Sequence, residues 1–532
     1  MIDVIRSAIA IGCKSRPITG WLRHAFQAGA IGVFLFASAC ATAPVTPQKT
    51  SAMQEMFALA FSDIHDIHLD IVAIDTLALG GLQGLTLIEP EAELKRNGKD
   101  VEFLLNGRSI GKTGAPEAND STAWAKAVDT LITAGRQSSE KLKNADDERI
   151  YKVVFAGLLK KLDRYSHYAG AKLARRNRQI REGFGGVGVS IKAEPEGARI
   201  VKISADSPAS KAGLQIGDMI IAVDGKRTSG QTLQEIADQL RGPINKKVSV
   251  KLQRISLNPP IVATMQRVRV IANTVHYTAR DAVAYIRVTS FNQDTAKQLK
   301  ESVHKARGEL GDELKGLVLD LRDNPGGLLD QAVDTADLFI VRGRISTTKG
   351  RHRDSLQRFN ASNGDISHGL PIAVLMNGAS ASAAEILAAA LQDNGRAILI
   401  GSSSFGKGTV QTVLRLPNEG ELVLTWARLL APLGYSLNGL GVLPNICTSN
   451  ASDVDSVLKA ALDGNLERGR TPLSLRRSTR NENTASSEVA QASCPWRPTN
   501  GSDIDIEVAK RLLGSGELYE RAVVISAPIA GS

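Results

Sequence analysis

Between residues 270 and 445 the hydrophobic pattern switches repeatedly between a strand period and a helix period. DAVAYIRVTSF reads as a strand, DTAKQLKESVHKARGEL as an amphipathic helix, and KGLVLDLRD as a strand running into NPGG. A helix follows in LLDQAVDTADLFI, a buried strand in PIAVLMNGAS, an alanine-rich helix in SAAEILAAALQD, and another strand in RAILIGSSS. Strand-helix alternation of this kind implies an α/β sheet with crossover helices.

The flanking segments have other patterns. Residues 53–161 are mostly helical: MQEMFALAFSDIHDIHLDIVAIDTLALGGL carries apolar residues at helical spacing, and WAKAVDTLITAGRQSS and ERIYKVVFAGLLKKL resume it. EAELKRNGKDVEFLLNG interrupts the run with a hairpin pattern. From Gly183 to Arg254 short strands alternate with turns, in GVGVSIKAE, ARIVKIS, MIIAVDG and KVSVKLQR. Two helices intervene, SPASKAG and TLQEIADQLRG, and Asp224-Gly225 is a hairpin signal. The expected division is a leader at 1–40, a tether and helical region at 41–165, and a compact block at 180–256. The α/β core then spans 270–446, and a mostly polar tail with one short helix near IEVAKRLLGSG spans 447–532.

Composition narrows the function classes. The chain is 43% hydrophobic and 23% charged, which suits a globular protein. Its formal charge of +10 is scattered apart from KLARRNRQIR, and aromatics make up only 4%, so nucleic acid is not an expected partner. Lys14, Arg16 and Arg23 precede the apolar run Ala28 to Ala39, which is too short to span a bilayer and reads as an export signal. Cys40 directly after small residues resembles a bacterial lipoprotein box, so a lipid on Cys40 would tie the chain to a membrane. Of four cysteines, two lie in or beside this leader. The remaining pair in an exported chain suggests a disulfide, Cys447–Cys494. His65 and His68 share a helix spacing without a third ligand and read as surface residues.

GSSSFGKGT, Gly401 to Thr409, nearly spells a phosphate loop, but Gly408 stands where a hydroxyl residue is required. TVQTVLRLP after it alternates like a strand, whereas a phosphate loop opens a helix. A lysine at a strand end can instead act as a general base when burial lowers its pKa. MNGASASAAEILAAALQD supplies a nucleophile: Ser380 and Ser382 lie in a small-residue turn between strand and helix. The free N–H groups of a helix start can stabilise an oxyanion there. Serine also caps helices, and Glu385 three residues after Ser382 completes a capping-box pattern. None of the eight histidines sits in a motif with an acid partner, so a Ser–Lys pair is the economical reading.

These residues resemble the carboxyl-terminal processing peptidases, or tail-specific proteases. SASAAEI (Ser380 to Ile386) and SFGKGTVQ (Ser404 to Gln411) stand in the family's order, and LQDNGRAILIG matches the segment between them. LDLRDNPGGLL resembles the family's glycine-rich turn, LDRYSHY the motif that precedes its PDZ domain, and APLGYSLNGLGVLPN its closing segment. The chain departs from the pattern at Ala384, at Tyr165 and at a missing proline in LDRYSHY. The resemblance implies Ser382 as nucleophile, Lys407 as base and Gln411 as the residue orienting the lysine. Gly327 and Ala383 would donate N–H groups to the oxyanion. It further implies a PDZ domain, a β-sandwich or barrel with two helices, placed before an α/β ClpP/crotonase-like serine protease core. Gly185, Gly186, Val187 and Gly188 would cradle a peptide C-terminus. No metal or organic cofactor is needed. Expected partners are unfolded or tail-bearing proteins, with an adaptor protein and a homo-oligomer paired through the helical region as further options. The competing reading is a PDZ scaffold that binds tails without cutting them.

Overall fold

The computed structural model describes residues 50–255, 259–362, 364–451, 453–462, 473, 476–477, 492–496 and 504–526. The leader, Cys40 and all but the last residue of the 41–50 tether lie outside the described residues. No helix among those described is long and apolar enough to cross a membrane.

The N-terminal region packs four main helices, Ala52–Ile67, Ile74–Gln83, Ser121–Ser138 and Asp147–Leu159. Ser51, Asp120 and Asp146 cap three of them by accepting from Gln54, Ala123 and Arg149 N–H groups. Phe57, Phe61, Trp124 and Phe155 fill the core, each removed from water. The expected hairpin is there, but a third strand, Arg108–Gly114, joins Ala92–Asn97 and Asp100–Leu105. Its RSIGKTG sequence is mostly exposed and carries no alternation to read. His68 is a correction: it is buried, not on the surface, because Asp163 accepts from its Nε2 at 2.9 Å.

The second block is a sheet in the order Ile261–Gln266, Lys247–Gln253, Met219–Val223, Gly197–Ile203, Val189–Glu194, with neighbours antiparallel. The helices Pro208–Lys211 and Leu233–Leu240 close it over Ile200, Ile220, Ile236 and Val250. A short strand Phe184–Gly186 pairs with Val268–Val270.

The α/β core is a six-stranded sheet: Val275–Arg280, Val283–Val288, Gly316–Asp320, Ile372–Met376, Ile398–Gly401 and Ile446–Cys447. The first pair is antiparallel and the rest are parallel. Successive side chains of a strand face opposite sides, so one strand feeds two cores. Leu317 and Leu319 join the helices Thr295–Leu310, Leu329–Asp337 and Ala383–Asp393 on one face. Val318, with Ala373, Leu375, Ile398 and Ile400, meets helices Val454–Leu462, Ile504–Leu513 and Gly516–Ser526 on the other. Sheets of parallel strands need both faces covered, and here segments C-terminal to residue 450 cover the second one. A second sheet runs Gln357–Asn360, Arg344–Lys349, Glu421–Leu430, Thr409–Arg415, with His167–Ala169 also paired to Glu421–Leu430. Leu422 and Leu424 of this sheet, with Leu416 just past the strand Thr409–Arg415, enter the N-terminal core, joining the two regions. Cys447 and Cys494 form a disulfide.

Candidate active site

The strand Ile372–Met376 ends at the sheet's C-terminal edge, and the chain turns through 377–382 into helix Ala383–Asp393. Ser380 is spent on structure: its Oγ donates to Leu321 O at 2.8 Å and accepts from Asn377 N at 3.0 Å. Ser382 caps the helix with φ of 55°, a left-handed conformation that costs a non-glycine residue about 1–3 kcal/mol. It is half-buried, and its N–H donates to Glu385 Oε2 at 2.7 Å.

Glu385 is the junction of the site. Its carboxylate is fully buried and also accepts from Gly406 N at 2.7 Å, Lys407 N at 2.9 Å and the Ser404 hydroxyl. Burial pushes its pKa up, against the pull of these four donors. The carboxylate thus ties the serine turn to the lysine loop that follows strand Ile398–Gly401. Phe405 N donates to Ser380 O at 3.0 Å and adds a second tie. The loop has no room for side chains at its glycines: a Cβ on Gly408 would lie 2.0 Å from Asn438 N.

Lys407 is partly buried, and its amine makes no hydrogen bond or ion pair among the described residues. Nζ lies 5.1 Å from the centre of the Tyr165 ring. Burial pulls its pKa below the ordinary lysine range, opposed by the carboxylates of Glu385 and Asp163. The expected meeting of the Ser382 hydroxyl and the Lys407 amine is therefore only partly realised. Their backbones converge on one carboxylate, but no Oγ–Nζ hydrogen bond forms. Gln411 lies on the next strand and donates to Thr409 Oγ1 at 3.0 Å and Thr425 Oγ1 at 3.3 Å, not to Lys407.

The NPGG turn sits against the serine turn. Ala381 N donates to Asn324 O, and Asn324 is itself anchored on Val288 O. A Cβ on Gly326 would lie 2.8 Å from Ser382 Cβ, and one on Gly327 2.1 Å from Phe291 O. Only glycines allow this approach. The N–H groups of Gly327 and Ala383 have no partner among the described residues, which leaves two donors beside Ser382.

Residues 282–448 match the sequence model of Peptidase family S41, and residues 199–254 that of a PDZ domain. The carboxy-terminal-processing protease of Bartonella bacilliformis is 41% identical over 303 residues, 57% of this chain and 70% of that protein. The chain belongs to this family. It is a serine-type peptidase of family S41 with a PDZ domain before its catalytic domain. Among solved structures, a photosystem II D1 C-terminal processing protease is 24% identical, covering 74% of this chain and 92% of its own, with a TM-score of 0.38. A peptide-bound PDZ domain of a Vibrio cholerae carboxy-terminal protease is 23% identical, covering 17% of this chain and 98% of its own, with a TM-score of 0.16.

N-terminal to the protease's PDZ match, Gly185 is bridged to Gly242, whose N–H donates to Gly185 O at 2.9 Å. Gly186 ends the short strand, Val187 is buried, and Gly188 turns with φ of 82°. A Cβ at Gly188 would lie 2.3 Å from Ser207 Cβ. Sequence reasoning saw Glu385 only as a capping residue and missed its bond to the lysine loop. The one signal was its register with Ser382, since the loop lies 21 residues further on. Tyr165 as a neighbour of Lys407 carried no sequence signal.

Proposed function

We propose that this protease is an exported endopeptidase that captures protein C-terminal tails on its PDZ domain and cuts peptide bonds with Ser382 as nucleophile and neutral Lys407 as base. The observation that carries the proposal is the Glu385 carboxylate, which accepts the backbone N–H of both residues. One buried group thereby sets the spacing of two loops far apart in sequence.

A tail adds as a strand beside Gly185, Gly186, Val187 and Gly188, which receive its carboxylate. Lys407 swings from the Tyr165 ring toward Ser382. Nζ takes the hydroxyl proton as Oγ bonds to the scissile carbonyl carbon. The carbonyl electron pair moves to oxygen, and the Gly327 and Ala383 N–H groups stabilise the resulting oxyanion. Collapse breaks the C–N bond, the departing amine takes the proton from Lys407, and an acyl-enzyme remains. Water attacks it by the same route and releases the new carboxylate. A lysine base must be neutral, and each pH unit of pKa depression costs about 1.4 kcal/mol, which burial has to supply. Gln411 is uncharged and can orient the amine without raising its pKa. Export is supported by the leader sequence and by the Cys447–Cys494 disulfide, a bond that persists in oxidising compartments. A lipid on Cys40 would anchor the enzyme on the periplasmic side.

The test is cleavage of an unfolded casein-like protein by the full chain and by Ser382→Ala and Lys407→Ala. Each variant is expected to lose at least about a thousandfold in kcat. Equal cleavage by all three would refute the assignment. Tail binding with no cleavage by any of them would replace it with the scaffold reading.

A further inference from the structure

Two cations lie within about 6 Å of the Tyr165 ring centre. Arg164 Cζ is 4.8 Å from its centre and Lys407 Nζ is 5.1 Å from it. A cation within about 6 Å of an aromatic centroid is attracted by the ring, and a neutral amine is not. Lys407 has no other short-range attraction among the described residues: neither a hydrogen bond nor an ion pair engages its amine. The backbone that carries the ring is firmly placed. Asp163 Oδ1 accepts from Tyr165 N at 2.7 Å, Ser166 N at 3.1 Å and Thr425 Oγ1 at 2.9 Å. Its Oδ2 accepts from Ser166 Oγ at 2.6 Å and His68 Nε2 at 2.9 Å. Ser166 Oγ in turn accepts from Thr425 N at 3.1 Å. Tyr165 is therefore fixed to both the N-terminal region and the strand Glu421–Leu430. A cleft of about 280 Å³ opens beside it, between Asp70, Thr409 and Arg428.

We propose that Tyr165 is a positioning residue that holds Lys407 in its charged form and away from Ser382, so that the enzyme at rest lacks its base. This rests on the assignment of Lys407 as that base. The charged groups facing the amine are Glu385 from the helix Ala383–Asp393 and Asp163 from the 163–169 segment, and both favour the ammonium as the ring does. Arg164 shares the ring from the same segment. Removing the ring takes away one stabiliser of the charged form. The neutral base then appears at lower pH and is free to turn to Ser382.

The experiment measures kcat/KM against pH on the unfolded casein-like protein, with the full chain carrying Tyr165→Leu, Tyr165→Phe or Tyr165→Trp. Thermal unfolding of each variant is followed alongside. Tyr165→Leu should move the acid limb to lower pH by about half a unit, a roughly threefold gain on that limb. Tyr165→Phe keeps the ring and should keep the wild-type limb. Tyr165→Trp, with the stronger ring, should move the limb to higher pH and carries the test if the leucine variant does not fold. An acid limb that stays put in both the Leu and Trp variants overturns the proposal, as does a Phe variant that behaves like Leu. A wild-type rate in Ser382→Ala and Lys407→Ala would instead remove the dyad assignment, which is a separate and recognisable failure.

Discussion

The two halves of the candidate site are held in opposite ways. On one side, the Glu385 carboxylate gathers three backbone N–H groups and a hydroxyl into a buried junction. On the other, the Lys407 amine rests on an aromatic ring with no hydrogen bond among the described residues. A buried carboxylate with four donors has one stable arrangement, because each donor left unpaired would cost about 1–3 kcal/mol. An ammonium over a ring face is held by a shallower attraction and can leave it. The frame is thus set before substrate arrives, and the step left open is a side-chain movement.

Breaking the rigid side should have the largest effect. Glu385→Ala leaves the N–H groups of Ser382, Gly406 and Lys407 without an acceptor. We expect a loss of about 3–5 kcal/mol in chemical denaturation, and at least about a hundredfold in kcat because the two loops lose their common reference. Glu385→Gln sharpens the point. It keeps the shape but turns an NH2 group toward N–H donors, so it should cost nearly as much as alanine. Full activity in the glutamine variant would mean that the junction is not what aligns the site.

A smaller effect is expected at the disulfide. Cys494 O accepts from Ser403 Oγ at 2.6 Å, so the Cys447–Cys494 bond fastens the C-terminal segment to the start of the lysine loop. The bonded cysteines are 47 residues apart, and removing a bond that closes such a loop should cost about 2–4 kcal/mol. Thermal unfolding with and without a dithiol reductant measures this. The Glu385 junction should survive reduction, so kcat at a temperature well below unfolding should fall less than in Glu385→Ala. An equal fall would show that the rigid side depends on the strap.

The contrast between the two sides also marks what could be read from the sequence. The parallel strands were legible because Gly316–Asp320 and Ile372–Met376 are buried throughout and read as apolar runs. The Ser382 turn and the Lys407 loop were legible because glycine and serine punctuate strand ends. Apart from the Cys447–Cys494 pair, contacts made across long stretches of chain were not. His68 looked like a surface residue because its partner Asp163 lies 95 positions away. The helices Val454–Leu462, Ile504–Leu513 and Gly516–Ser526 looked like parts of a tail because each buries only a narrow apolar stripe. Nothing in their own sequence says that the stripe faces Val318 and Ala373. The resting place of Lys407 belongs to the same class, since a ring in LDRYSHY and a lysine in SFGKG share no pattern.

The central claim is that Lys407 can serve as a neutral base, and the most direct measurement is its own titration. In protein labelled with 13C at the lysine side chains, the Lys407 signal is assigned by its absence from Lys407→Arg and followed against pH. The account predicts a pKa below the ordinary lysine value of about 10.4, and lower still in Tyr165→Leu. A Lys407 that titrates at or above that ordinary value, with or without the ring, would contradict it.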